Sequence, residues 1–404
     1  VLQMVALRHG MVALLHEKPF AGVNGSGKHD NWSLATEDGT NLYAPGTNVE
    51  DNVQFLIFLT SFIKAMDEYA PLIRSGAATA GNDLRLGSSE APPAVISIYL
   101  GDQLTTILET LSKEGNCEKR VREVVKMGTT ILPELPKDLT DRNRTSPIAF
   151  TGNKFEYRMV GSSQSMAGPN IFINPAVSQL RGEAADRLEA ATDKEAESHK
   201  IISDFYQNHK RIIFNGNGYS EEWAKEAKKR GLPHYRDTVS ALPQMASEKS
   251  LALLEGQEVL SRGETLSRLE IYLEGYSKQI NVEASTMIEM CRKEIIPAMI
   301  TYLGTLSEAI WKQEALNLDV TKQKDLLTLL NESLVKTMEG ADLLHQAVTA
   351  AKQIQENPLA QAKAYRDTVV TRMEELRTHV DLMEIHTDKH IWPIPSYDDL
   401  LFRL

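Results

Sequence analysis

The sequence predicts an α+β fold in which a mixed first half is followed by a helical second half. Two observations lead to this prediction. Residues 154–159 alternate charged and apolar side chains, as a strand with one polar face does. Beyond Pro243 the strand signals almost disappear, and long segments with apolar residues at helical spacing take their place. We therefore expect two parts, residues 1–243 and residues 244–404.

Composition narrows the class of protein before any motif is considered. The chain has 404 residues and a net charge of −11, which argues against broad binding to nucleic acids or to anionic membranes. Any anion site must then be a local cluster of Arg and Lys. Cys117 and Cys291 are the two cysteines, and no CxxC motif is present, so disulfides and a structural zinc site are not expected. No apolar run approaches the roughly 20 residues of a membrane span. These features favour a cytoplasmic protein.

The first half alternates between helix and strand signals. Val1–Leu7 has the pattern of a helix end, so we expect the chain to be a fragment that opens inside a domain. The short apolar run that follows predicts a buried strand, and residues 50–74 carry apolar positions at helical spacing. Residues 133–153 are rich in Pro, Asp, Asn and Thr and predict a loop. The remaining predicted elements are strands at Met11–Leu15, Ala94–Tyr99 and Lys154–Met159, and a helix at Asp102–Lys113.

The second half is expected to be built from long helices. Ala184–Lys210 predicts one charged helix, and Ser220 followed by two glutamates is a typical helix opening. Beyond Pro243 the helical segments are interrupted or ended at Pro297, Asn317 and Pro358. These helices are predicted over residues 262–317, 321–354 and 358–385, with an irregular, aromatic-anchored tail at residues 392–402.

A first polar block, Asn24–His29, follows a predicted strand. Its two glycines allow the backbone to approach a ligand closely. The order Gly-Ser-Gly-Lys lacks the spacing of a phosphate-binding loop. His29 is a neutral base at pH 7 and a good ligand for a divalent cation. The alternative is a tight hairpin turn with a surface histidine.

A second block, Gly81–Pro93, places Arg85 and Glu90 in a glycine- and serine-rich stretch that is stiffened by two prolines. A carboxylate in this position could accept a proton or hold a cation, and Arg85 could bind a carboxylate or phosphate through two hydrogen bonds. The alternative is an Arg–Glu pair on the surface.

The third block joins Arg142-Asn-Arg144 to the strand Lys154–Met159. The alternation puts Lys154, Glu156 and Arg158 on one strand face. A solvated sheet face would also have this pattern. One glutamate with two cations equally fits a triphosphate bound through a divalent metal.

Together these blocks resemble the glutamine synthetase family, specifically its type III branch. Residues 15–29, residues 81–93 and the ending Trp392-Pro-Ile-Pro are similar to that branch's signature, and the resemblance covers essentially the whole chain. It implies a catalytic half built on a curved antiparallel sheet with flanking helices, followed by a helical C-terminal extension. It also implies ATP-dependent formation of glutamine from glutamate and ammonia, with Mg²⁺ or Mn²⁺, in a large ring-type homo-oligomer.

The resemblance assigns roles to individual positions. His29 and Glu156 match ligands of the metal that holds the ATP phosphates, and Glu90 matches the glutamate that takes a proton from ammonium. Arg144 matches an arginine that serves the transferred phosphate. The matching substrate and nucleotide contacts are Asn24, Gly25, Arg85 and Arg158 for glutamate, and Ser33 for the nucleotide.

The chain departs from the family pattern at several positions. Ala149 stands where a second phosphate arginine is usual, and Lys154 replaces another, so we expect redistributed phosphate contacts that include Lys154. The acidic residues that bind the first metal are not in this chain, so we expect the chain alone to be inactive. Two alternatives stay open, namely a ligase that joins glutamate to another amine and a non-catalytic homologue that acts as an assembly scaffold.

Overall fold

A computed structural model of the chain describes residues 1–114, 124–125, 135–136 and 145–402. They form two compact units, one of Leu15–Leu269 and one of Val1–Leu14 together with Glu270–Leu404. The fold is α+β, as predicted, with a small sheet in the first of these units. The domain boundary expected near residue 243 stays a prediction.

The strands in the described residues are β1 Gly27–Trp32, β2 Ile98–Tyr99, β3 Val124–Val125, β4 Leu135–Pro136, β5 Ile148–Phe150 and β6 Phe155–Gly161. Four of them form the larger sheet in the order β1–β6–β5–β2, and β3 pairs with β4 separately. In the larger sheet β6 runs antiparallel to both β1 and β5, whereas β2 runs parallel to β5. The sheet is therefore mixed, and the expected antiparallel arrangement applies to β1, β5 and β6.

The chain begins with helix α1, Leu2–Arg8, close to the predicted helix. The buried strand predicted for Met11–Leu15 is wrong. Within the described residues Met11 makes an isolated bridge to Phe402, and the side chains of Met11, Leu14 and Leu15 are 37–44% exposed. An apolar run predicts burial only where a neighbouring strand can pair with it, and five residues cannot reveal that.

The helix predicted over residues 50–74 is present as two helices, α2 Val53–Glu68 and α3 Ala70–Ser75. Asn52 caps α2 by accepting from the N–H of Phe55. Pro71 lies in the first turn of α3, where its missing N–H is tolerated, whereas it would interrupt one continuous helix. Phe62 of α2 stacks on Phe155 of β6 with ring centroids 3.7 Å apart, so α2 covers the apolar face of the sheet.

The other helices of this unit surround α2 and the sheet. They are α4 Ala80–Arg85, α5 Asp102–Glu114, α6 Ala167–Ala190, α7 Lys194–His209, α8 Glu221–Lys229, α9 Thr238–Ala241 and α10 Glu248–Gly256. The single helix predicted at Ala184–Lys210 is wrong, because Asp193 separates α6 from α7. Its side chain accepts from the N–H of Ala196 at 3.0 Å and so starts a new helix. Ser220 caps α8, as predicted.

From Arg262 onward the described chain is mainly helical. The helices are α11 Arg262–Met290, α12 Ile296–Glu314, α13 Thr321–Lys352, α14 Pro358–Ala364, α15 Thr371–His386 and α16 Tyr397–Leu401. The π-helical segments Cys291–Ile295 and Tyr365–Val370 join α11 to α12 and α14 to α15, so the three long helical segments are confirmed. The tail predicted as irregular contains the short helix α16. No helix in the described part of the chain is both long and apolar enough to cross a membrane.

Candidate active site

The sheet brings His29 and Glu156 together on neighbouring antiparallel strands. The register changes between Lys28, opposite Val160, and Asp30, opposite Tyr157. This irregularity contains His29, and such bulges re-aim a side chain relative to a regular ladder. Nδ1 of His29 lies 3.7 Å from Oε2 of Glu156. An imidazole and a carboxylate thus meet although 127 residues separate them.

The surroundings of His29 favour its neutral form. Partial burial lowers its pKa, the positive charges of Arg158 and Arg85 lower it further, and Glu156 opposes them. The side chain keeps 55% of its surface exposed. A neutral, accessible imidazole is the form that coordinates a metal ion.

Glu156 is also held by Arg158, two residues further along β6. Oε2 of Glu156 accepts from Nε of Arg158 at 3.2 Å and from Nη2 at 3.0 Å. The predicted common strand face is therefore confirmed for these two residues. Arg158 is 4% exposed and Glu156 19%, so the carboxylate is the more accessible member of the pair.

His29 and Glu156 fit a divalent cation by the kind of donor they supply, one nitrogen and one carboxylate. Within the described residues, no group of three or more His, Cys, Asp or Glu side chains could hold a metal ion. The described part of the chain thus offers a pair of ligands and not a complete shell.

Glu90 and Asn24, from two different sequence blocks, are in direct contact. Nδ2 of Asn24 donates to Oε2 of Glu90 at 2.6 Å, and both side chains are exposed. Glu90 has a φ of 51°, a left-handed conformation that is unfavourable for a residue with a Cβ. Backbone strain of this kind is commonly found at functional positions.

The side chain of Arg85 is buried, and its guanidinium donates to nearby oxygens instead of projecting into a cleft. Nη1 donates to Oδ1 of Asn82 at 3.2 Å and to the carbonyl oxygens of Met159 and Val160 at 3.3 and 3.4 Å. Nη2 donates to the carbonyl oxygen of Arg158 at 3.1 Å. These contacts fix the end of β6, and the expected role of Arg85 in binding a substrate carboxylate stays a prediction.

Glycines admit the Arg85 side chain against the first block. A Cβ built on Gly27 would lie 2.2 Å from Nη2 of Arg85, and one on Gly25 would lie 3.1 Å from its Cγ. Close packing on Arg85 therefore accounts for Gly27, and it restricts Gly25 together with the nearer carbonyl oxygen of Glu17, a reason that the sequence does not reveal. Asn82, which also donates to the carbonyl oxygen of Met159 at 2.8 Å, was not singled out from the sequence.

Ser33 and Lys154, two of the residues expected to contact the nucleotide, lie near the other end of β1. The hydroxyl of Ser33 can donate to either of two acceptors, Oδ1 of Asn41 at 2.9 Å or the carbonyl oxygen of Asn153, the neighbour of Lys154, at 3.1 Å. Ala149 lies on β5 directly opposite Glu156 and is buried. Arg144 lies outside the described residues.

Two family models match parts of the chain. A family model described as the glutamine synthetase catalytic domain matches residues 1–77, and one described as the glutamine synthetase C-terminal domain matches residues 197–314.

Three curated relatives align with the whole chain. They are a type-3 glutamine synthetase of Dictyostelium discoideum at 38% identity, and glutamine synthetases of Butyrivibrio fibrisolvens and Bacteroides fragilis (strain YCH46) at 40% and 36%. The alignments cover 56%, 58% and 57% of the relatives, so the chain spans somewhat more than half of their length. The two domain models and the three alignments over the whole chain agree, so the chain is similar throughout its length to members of the glutamine synthetase family, a type-3 glutamine synthetase among them.

Proposed function

We propose that this chain supplies catalytic residues for the ATP-dependent joining of ammonia to the γ-carboxylate of glutamate. The observation that carries the proposal is the His29–Glu156 pair, which lies across β1 and β6 with Arg158 on the same carboxylate. One imidazole and one carboxylate backed by a guanidinium suit a divalent ion and an anionic substrate side by side.

His29 and Glu156 would hold a Mg²⁺ or Mn²⁺ ion, and Arg144, Lys154 and Ser33 would contact the nucleotide. When bound, the ion would neutralise charge on the phosphates of ATP. Glutamate would be oriented by Arg158, Asn24 and Gly25. The buried Arg85 would hold the backbone of these residues in place. Such positioning removes much of the entropic barrier of a reaction between two bound substrates.

The reaction would proceed in two steps. The γ-carboxylate of glutamate attacks the γ-phosphorus of ATP, ADP leaves, and γ-glutamyl phosphate forms. Glu90 then accepts a proton from ammonium, and the resulting ammonia attacks the acyl carbon and displaces inorganic phosphate, which leaves glutamine. The exposed carboxylate of Glu90 at the Asn24 contact is suitably placed to exchange that proton with solvent.

We further propose that the protein works in the cytoplasm as a ring-type homo-oligomer, as the family resemblance implies.

Replacement of Glu156 tests the proposal. We would join the chain to the part of the Bacteroides fragilis relative that it does not match, and assay glutamine formation. Glu156→Ala should abolish activity and weaken Mn²⁺ binding, because half of the described ligand pair is lost. Glu156→Gln, which leaves an acceptor for Arg158, should fold normally and fail in the same way.

The matched control is Glu226→Ala, which removes an ion pair between Glu226 of α8 and Arg230, the residue that follows this helix. It should keep full activity. Activity of the Glu156 variants within a few-fold of the parent would refute the metal assignment.

A further inference from the structure

Glu17 has a buried carboxylate, and this residue has no role in the function proposed above. The residue is 2% exposed, and its Oε1 accepts from the N–H of Ser163 at 2.8 Å and from the Ser163 hydroxyl. Burial raises the pKa of Glu17, but the hydrogen bonds from Ser163 outweigh burial, so the net effect is a lowered pKa. The carboxylate is therefore ionised at neutral pH although it is enclosed.

Two glycines make room for this side chain. A Cβ built on Gly81, in the first turn of α4, would lie 2.7 Å from Oε2 of Glu17. A Cβ on Gly161, the last residue of β6, would lie 2.7 Å from Oε1. Each oxygen thus packs against a segment that continues into a site residue, Arg85 on α4 or Arg158 on β6.

The main chain of Glu17 closes the loop that carries Asn24. Its carbonyl oxygen accepts from the N–H of Ser26 at 2.7 Å, and a Cβ on Gly25 would lie 2.5 Å from that oxygen. Residues 17–26 therefore form a loop with joined ends. The same segment is fastened to the turn after β6, because the Ser162 hydroxyl donates to the carbonyl oxygen of Leu15 at 2.9 Å.

Glu17 also acts on Arg85 by charge. Burial of Arg85 disfavours its charged form and lowers its pKa, and the negative charge of Glu17 is the strongest opposing influence. The enclosed carboxylate of Glu17 thus attracts the guanidinium of Arg85, which is 5% exposed, and favours its position.

We propose that Glu17 is a positioning residue whose buried carboxylate holds the 17–26 loop, the start of α4 and the end of β6 in one arrangement. It would thereby fix Asn24, Arg85 and Arg158 on the glutamate side of the site. The identity of the ligand rests on the proposed function, whereas the positioning itself does not.

Glu17→Gln is the discriminating variant, because it removes the charge and one carboxylate oxygen at constant shape. In the joined protein described above, the KM for glutamate should rise about tenfold or more, as expected for loss of a charged hydrogen bond. The KM for ATP should stay within about twofold, since Ser33 and Lys154 lie outside the Glu17 contacts. In the 404-residue chain, hydrogen exchange at the amides of Ser26 and Ser163 should accelerate about tenfold.

Glu183→Gln is the matched control, because Glu183 pairs with Lys64 elsewhere in the same unit. It should leave both KM values and both exchange rates unchanged. The inference is overturned if Glu17→Gln changes neither the glutamate KM nor the two amides. It is also overturned if both KM values and exchange throughout the unit rise together. If the parent makes no glutamine, the proposed function fails, and the Ser26 and Ser163 exchange rates still decide the role of Glu17.

Discussion

The sequence pattern predicts which charged residues share a strand face, but it does not reveal which atoms their side chains contact. The alternation over residues 154–159 correctly placed Glu156 and Arg158 on one strand face, where they form an ion pair. The contacts of Arg85 could not be foreseen, because its acceptors besides Asn82 are main-chain oxygens of β6 that lie 73–75 residues away. The contacts of Glu17 are equally invisible in the sequence pattern, since its environment is created by packing.

Replacement of Glu90 separates the two steps of the proposed reaction. Glu90→Ala should permit phosphoryl transfer to glutamate and abolish amide formation, because ammonium keeps its proton and water reaches the acyl phosphate. In the joined protein, glutamate-dependent release of ADP would continue without glutamine. The measurement is the ratio of ADP to glutamine formed in the same sample. Equal loss of both products would make Glu90 a structural residue.

Asp83 predicts a pH dependence of stability away from the proposed metal ligands. Burial raises its pKa to about 7, although Thr238 donates to it twice and Arg74 lies 3.9 Å away. The nearby Asp237 raises it further. Because the pKa is higher in the folded than in the unfolded chain, the contribution is complete below about pH 4 and is lost as the pH rises through about 7.

We therefore expect the parent chain to lose more stability between pH 5 and pH 7.5 than Asp83→Asn does. The difference should be up to about 1 kcal/mol per pH unit, and melting temperatures at several pH values would measure its direction. Asp38→Asn is the control, because hydrogen bonds from Thr36 and Thr40 lower the pKa of exposed Asp38, which then titrates below this range. Parallel pH profiles for the parent and Asp83→Asn would contradict the prediction.

At the scale of elements, long periodic segments were predictable and junctions were not. The three long helical segments after residue 261 were correctly foreseen, because apolar spacing over tens of residues leaves little ambiguity. The break at Asp193 depends on one side chain capping the N–H of Ala196, a local event inside an otherwise helical pattern. Met11–Leu15 failed because pairing requires a partner from a distant part of the chain.

Two glycines in helices allow the effect of helix propensity on stability to be separated from the effect of packing. Gly275 of α11 has nothing within 4 Å of an added Cβ, whereas a Cβ on Gly340 of α13 would lie 3.3 Å from Cδ1 of Leu376 on α15. Gly275→Ala should stabilise the chain by about 0.5–1 kcal/mol, because alanine loses less backbone entropy in a helix. Gly340→Ala should gain less or destabilise. Thermal unfolding of both variants provides the comparison, and an equal gain at both sites would show that the α13–α15 contact is loose.

At the scale of the whole molecule, the fold class could be predicted from the pattern of helix and strand signals, and the net charge from the composition. A chain of net charge −11 needs a local group of cations if it is to attract an anion, and in the described residues Arg85 of α4 and Arg158 of β6 are in contact. A complete set of metal ligands, by contrast, is not found in the described residues. The described residues contain the His29–Glu156 pair and no cluster of three possible ligands.

This incompleteness leads to the most direct test of the account. A hard divalent ion held by two protein ligands in an open cleft binds weakly. We expect the purified 404-residue chain to form no glutamine and to bind Mg·ATP poorly, and the joined protein to recover both activities. The decisive measurement is glutamine turnover by the chain alone beside turnover by the joined protein. Glutamine formation only by the joined protein is the predicted result, whereas substantial synthesis by the chain alone would contradict the assignment of His29 and Glu156 as half of a shared metal site.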